Sequence, residues 1–388
     1  MDISPWITLL ANEYIVSGLS PCEAEDRARR RLADATAITA IKASMQSAVE
    51  EMSHGANTVC FDAYDTPSIM VCIPLLRWCD LLDGCNDPAP HPAFCLGRKV
   101  LPCIYVGKYL SSLWNGQPAS LPRSIPQRWE FFDSAVRDST QKGCGWNAIS
   151  FSVRSAIALY SRRNGTLPRG NNNKGSDYFH PMETGELCGE YPVLTGSGPT
   201  TWTHDGKASG VWDLNGNLNE WVTGMRLTDG EIQLMDTEEI MRVPQQGRLS
   251  EKWYALNEQG DFIPAGSPKA LHYEDDNGGI RLTNQSRSHG IGNCAFQDIA
   301  LQNGLTPAKL LVLQGLYPPA SDENQNLGWR WISGSGEVVP LCGGAYRAVD
   351  HAGAFFAGMT KPRDVAYPLA GLRLMYISPE HLKEADVL

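Results

Sequence analysis

Oxygen-bearing side chains crowd one short stretch, Asp213-Leu-Asn-Gly-Asn-Leu-Asn-Glu-Trp221. Asp213, Asn215, Asn217, Asn219 and Glu220 place hard oxygen donors within a single turn, the donor type that Ca²⁺ takes. The stretch lacks the EF-hand spacing, which needs a glycine at position six and a glutamate at position twelve. Asn and Asp side chains also bind backbone amides in tight turns, so a structural turn plugged by Trp221 is the favoured reading.

Other chemistries leave no pattern. The chain has no G-x-x-x-x-G-K, no H-E-x-x-H and no nucleophile elbow. Gly334-x-Gly336 leads into a β-branched pair and reads as a turn. None of the 8 histidines sits four residues from another, which argues against a helical histidine metal site. The 11 cysteines form no C-x-x-C and read as free thiols of a reducing compartment. The net charge of −10 argues against nucleic acid as a partner, because phosphate binding needs a clustered basic face. With 42% hydrophobic residues the chain can bury a core. No apolar run approaches the ~20 residues of a membrane span. Met1-Asp2-Ile3 carries no basic stretch, which predicts cytoplasmic synthesis without a signal peptide.

These residues need elements to position them. Residues 1–55 read as a helical segment, with a capping box at Ser20-Pro-Cys-Glu23. Ile38, Ile41, Met45, Ala48 and Met52 form an apolar stripe lasting under three heptads. It predicts either a helix packed on its own domain, the favoured reading, or a homo-oligomer contact. A β-rich part follows over 60–120, with strands at Ser68–Leu75 and Val100–Tyr109. Helices are predicted from about Pro126 to Lys142 and from about Ser152 to Arg163. Beyond Thr166 short strands and long irregular loops dominate, apart from a short helix ending near Gln314. Gly and Pro number 37 and 25, in line with a loop-rich α+β fold. Trp202, Trp212, Trp221, Trp253, Trp329 and Trp331 are expected to fill gaps between loops. Residues 378–388 read as a polar tail.

The segment Gly210-Val-Trp-Asp-Leu-Asn-Gly-Asn-Leu-Asn-Glu-Trp221 resembles the G-x-x-D-x-x-G-N-x-x-E-W signature of formylglycine-generating-enzyme-like domains, a branch of the C-type lectin fold. Cys342-Gly-Gly-Ala-Tyr346 and Gly371-Leu-Arg-Leu374 resemble the same family's R-G-G-x-(W/Y) and G-F-R segments. Leu167-Pro-Arg-Gly-Asn-Asn-Asn173, His91-Pro-Ala-Phe94 and Ile104-Tyr-Val-Gly-Lys-Tyr109 point to one subgroup, the variable target proteins of diversity-generating retroelements. The resemblance spans roughly residues 60–377. It implies a C-type lectin-like domain over 121–377, with two helices, short strands and long loops. It also implies a non-enzymatic binding protein whose region of about 343–374 is rewritten by a reverse transcriptase that miscopies adenines. The ligand implied is a macromolecule, a cell-surface protein or a glycan, and the carrier a phage tail or a bacterial surface. No cofactor is required, although relatives can bind structural Ca²⁺ at positions matching Asp213, Gly216, Leu218 and Glu220.

Random substitution in a close-packed interior costs roughly 1–5 kcal/mol, so diversified residues must interleave with a fixed scaffold. Gly343-Gly344, Ala352–Phe355, Pro362 and Gly371–Arg373 read as scaffold. The ligand-binding candidates are Arg347, Ala348, Val349, Asp350, His351, Phe356, Gly358, Thr360, Asp364, Val365, Ala366, Tyr367 and Leu369, with Pro368 beside them. Altering the first two adenines of an asparagine codon can yield every one of these residue types, but not Met359 or Lys361. The stretch itself contains no asparagine.

The main rival is a formylglycine-generating-type oxidase. As that family is known, its copper site needs a cysteine pair just after the Gly-Gly motif. Here no cysteine follows Gly344, and Cys342 precedes it alone. A second rival is a purely structural phage or surface protein.

Overall fold

The computed structural model describes residues 2–242, 246–285, 290–320 and 325–387. The protein is mixed α+β. Its helical opening comprises Ser4–Val16, Pro21–Leu32 and Ile38–Met52. The Ser20–Glu23 capping box forms as expected, with Glu23 accepting from the Ser20 backbone amide.

This opening is not detached from the rest. Leu10, Tyr14, Ile41 and Met45 share one apolar cluster with Val59, Ile69, Tyr109, Trp202 and Trp212. The Ile38–Met52 stripe is therefore covered within the chain. Glu13 fixes the docking: buried in the first helix, it accepts from the Lys108 ammonium and from the Tyr109 hydroxyl, both also buried. Burying charges this deeply requires such pairing.

Among the described residues a five-stranded antiparallel sheet runs in the order Asn57–Phe61, Pro67–Pro74, Cys103–Gly107, Leu374–Tyr376, Trp146–Ala148. It joins strands from both sides of residue 120, and the C-terminal strand lies inside it. A thirteen-stranded sheet carries the second half. Within it Trp329–Ser333 pairs in parallel with Ala357–Lys361, which pairs antiparallel with Glu337–Cys342. Asn219–Trp221 joins Glu337–Cys342 and runs parallel to Ala370–Leu372.

Two helices brace this frame, Phe132–Thr140 and Phe151–Arg163. The second starts where Ser150 accepts from the Val153 amide, an N-cap. The first is shorter than its sequence suggests. Its expected opening turn is instead extended, because the Trp129 amide donates to Ala370 and the Gln127 amide to Ser111. The expected Val100–Tyr109 strand is two pieces, Lys99–Val100 and Cys103–Gly107. The expected polar tail contains a helix, Pro379–Glu384, whose Leu382 is buried in the main core together with Val387.

Four of the six tryptophans expected as fillers, Trp202, Trp212, Trp221 and Trp253, are buried. Trp329 and Trp331 are not. They alternate along a strand with buried Arg330 and Ile332, so both rings emerge on the other face.

Candidate functional site: a cleft on the C-terminal strip

The oxygen-rich turn is an interior scaffold. Asp213, Asn215, Asn217, Asn219 and Glu220 are all buried. Asp213, Gly216 and Asn217 adopt left-handed backbone, which tightens the turn. The Asn217 side chain donates to the Val193 carbonyl and accepts from the Val193 amide and the Asn171 amide group. Asn215 donates to the Pro168 carbonyl and accepts from Asn172. Glu220 accepts from Arg373 at 3.0 and 2.9 Å and pairs with Arg154 at 3.0 Å. Burial works to raise the Glu220 pKa, but the two guanidiniums outweigh it and hold the carboxyl below its ordinary range.

The expected Ca²⁺ ligand set does not fit this geometry. Both Glu220 oxygens already face arginine, so that carboxylate is not free for a cation. Asp213 accepts from the Gly196 amide with one oxygen, while its other oxygen has no partner. Burial raises its pKa to about 6 despite the pull of Arg373. Among the described residues no group of three His, Cys, Asp or Glu side chains converges as a metal site.

The turn holds up the C-terminal strip. The Gly216 amide donates to Gly343, the Tyr346 amide to Asn217, and the Val349 amide to Asn172. Along the strip Gly343–Tyr346, Ala352–Phe355, Ala357, Met359, Arg363 and Ala370–Leu374 are buried, whereas all thirteen ligand-binding candidates are exposed or half-buried. Gly344 has φ +82 and its missing Cβ would lie 2.7 Å from the Ala352 Cβ, so this position admits only glycine. Gly358 has no such constraint; a Cβ there would meet the Phe356 ring at 3.7 Å.

Six candidates converge. Ala348, His351, Phe356, Gly358, Thr360 and Tyr367 line a cleft of about 330 Å³, together with Asn219, Trp331, Leu341 and Lys361. His351 sits against Trp329 at 4.1 Å and Trp331 at 5.8 Å between ring centroids. The Lys361 ammonium lies 5.9 Å from the Tyr367 ring. Burial raises the Tyr367 phenol pKa.

The other candidates stand apart from the cleft lining. Arg347 is exposed and lies over the Tyr191 and Tyr346 rings, at 4.9 and 5.4 Å. Val349 and Asp350 belong to the short turn Val349–His351. Asp364, Val365 and Ala366 are exposed at a loop tip, where Asp364 pairs with Arg248 at 3.4 Å. Leu369 packs at the edge of the Leu110, Leu218 and Tyr346 cluster, and Tyr367 at the edge of the Trp129 and Phe132 cluster. These two carry some packing, contrary to the expectation for diversified positions.

Sequence reasoning missed Trp331 and Lys361 as cleft residues, and Arg363 as the anchor of the loop. Arg363 is buried and grips Glu337 through two bonds, at 2.7 and 2.9 Å. Burial works to raise the Glu337 pKa, yet Arg363, Arg248 and Arg226 together bring it down to about 2. The W-x-W spacing at Trp329 and Trp331 was the available signal, since alternate residues share one face of a strand.

All eleven cysteines are free thiols, and Cys342 is buried. Compared with known proteins, the chain matches no family model and no curated sequence.

Proposed function

We propose that this is a binding protein rather than an enzyme, presenting a diversifiable cleft on a C-type lectin-like frame of the formylglycine-generating-enzyme type. One observation carries the reading: along residues 343–374 buried scaffold alternates with accessible candidates, and six of the latter meet in one cleft. Such an arrangement lets most of these side chains change without disturbing the interior, Tyr367 being the one that also packs against the Trp129 and Phe132 cluster. Placement of Leu374–Tyr376 beside Cys103–Gly107, with two bracing helices, supports the lectin-like frame.

Trp331, His351, Phe356 and Tyr367 offer rigid area to a ligand, and Asn219, Thr360 and Lys361 offer hydrogen bonds. That mixture suits a macromolecular surface, a cell-surface protein or a glycan. The carrier in this reading is a phage tail or a bacterial surface.

The gene locus tests the reading. We expect a near-duplicate of the 3′ end with asparagine codons at positions such as 348, 351, 356, 358 and 360, beside a reverse transcriptase gene. A locus with no duplicate, and natural variation spread evenly over codons 343–374, would overturn it.

A further inference from the structure

Among the described residues Arg330 is a buried cation without a counter-ion. It is 2% exposed, on the inward face of the Trp329–Ser333 strand. The Phe296 and Phe151 rings lie 4.3 and 5.6 Å from its guanidinium carbon. Ring faces stabilise a cation's charge, but they offer nothing to the N–H groups along its edge. One terminal nitrogen donates to the Gly315 carbonyl, while Nε and Nη1 have no hydrogen-bond partner among the described residues.

Among the described residues, the groups that act on Arg330 supply no negative charge. Burial raises the pKa of the Tyr273 phenol and of the Cys294 and Cys342 thiols, the thiols to about 11, so all three are neutral near pH 7. The other charged neighbour is Arg154, which shares the Glu220 carboxylate with Arg373. Two guanidiniums already divide that single carboxylate, and Arg330 has no part of it.

Both arginines border a small interior chamber of about 10 Å³, also lined by Phe151, Ser155, Cys342 and Phe356. Space of this size takes one atom-sized occupant. A guanidinium cannot lose its proton to escape burial, so its unmet donors favour an anion over water. Phe356 lines both the chamber and the surface cleft, which puts the chamber directly behind the cleft wall.

We propose that the chamber is a binding site for a single chloride-sized anion, held by Arg330 with Arg154 and closed from the cleft by Phe356. This site shares the Phe356 wall with the cleft, but its evidence and its test do not depend on the ligand-binding reading.

Thermal unfolding of the full chain in sodium chloride and in sodium gluconate, at matched ionic strength, tests the proposal. We expect a saturable rise in Tm of about 2–4 °C with chloride. Arg330→Met should unfold at a Tm that ignores chloride. If that variant fails to fold, crystals of the unaltered protein soaked in bromide should give an anomalous peak within hydrogen-bond distance of Arg330. Equal Tm in the two salts, a chloride shift that persists in Arg330→Met, or no bromide peak at Arg330 would overturn the proposal.

Discussion

The turn at Asp213–Trp221 and the strip at 343–374 invert what their compositions suggest. The turn is full of ligand-like oxygens, yet most of them are consumed by backbone amides and arginines in the interior. The strip is compositionally plain, yet it supplies the accessible cleft. The two are one device, because the turn's Asn217 and the neighbouring Asn172 accept hydrogen bonds from the strip's backbone. Polar richness in a loop-heavy protein can therefore mark what must stay fixed. On the proposed reading, plain mixed residues mark what is free to vary.

If that contrast is right, changes in the turn cost far more than changes in the cleft. The largest effect is expected at Glu220. Glu220→Gln leaves two buried guanidiniums without a counter-charge and should lower stability by about 3–5 kcal/mol in denaturant unfolding. A loss under about 1 kcal/mol would mean that the network is not holding the frame.

Next comes Gly344→Ala in the buried scaffold of the strip, which forces left-handed backbone on alanine and drives its Cβ into Ala352. About 2–4 kcal/mol should be lost. The matched control is Gly358→Ala in the cleft, where the space is open and the change should stay within about 0.5 kcal/mol. Equal costs at the two glycines would break the comparison.

Asp213 sharpens it through pH. Its folded pKa of about 6 lies above the ordinary carboxyl value of 3.8. This group therefore favours the folded state below the ordinary value, and that contribution is lost as pH rises through about 6. Asp213→Asn keeps an acceptor for the Gly196 amide but cannot ionise. It should gain roughly 1–3 kcal/mol on the parent protein at pH 7.5, lose about half of that advantage by pH 5, and lose the rest as pH falls below the ordinary carboxyl value. A variant that is less stable than the parent at pH 7.5 would show that the ionised carboxylate is wanted there.

The α+β character and the Phe151–Arg163 helix were legible from composition, periodicity and the Asn164-Gly165 stop. Along the strip the match was partial: Gly343-Gly344, Ala352–Phe355 and Gly371–Arg373 are buried as expected of scaffold, whereas Pro362 is half-buried and Tyr367 and Leu369 pack at cluster edges. Three features were not legible, for physical reasons. Arg373 and Glu220 are 153 residues apart in the chain, and no local pattern announces that two charges will be buried together. Trp329 and Trp331 look like core by residue type, and only strand alternation turns them outward. The end of the chain looks polar because a single docked turn needs only Leu382 and Val387 to anchor it.

The claim underneath all of this is that the cleft can be rewritten while the turn beneath it stays intact. A library randomised together at Ala348, His351, Gly358 and Thr360 measures that directly, with thermal unfolding read on individual members. The account predicts that most members fold cooperatively, with Tm within a few degrees, about 2–4 °C per kcal/mol, of the parent. A library in which most members fail to fold would contradict it.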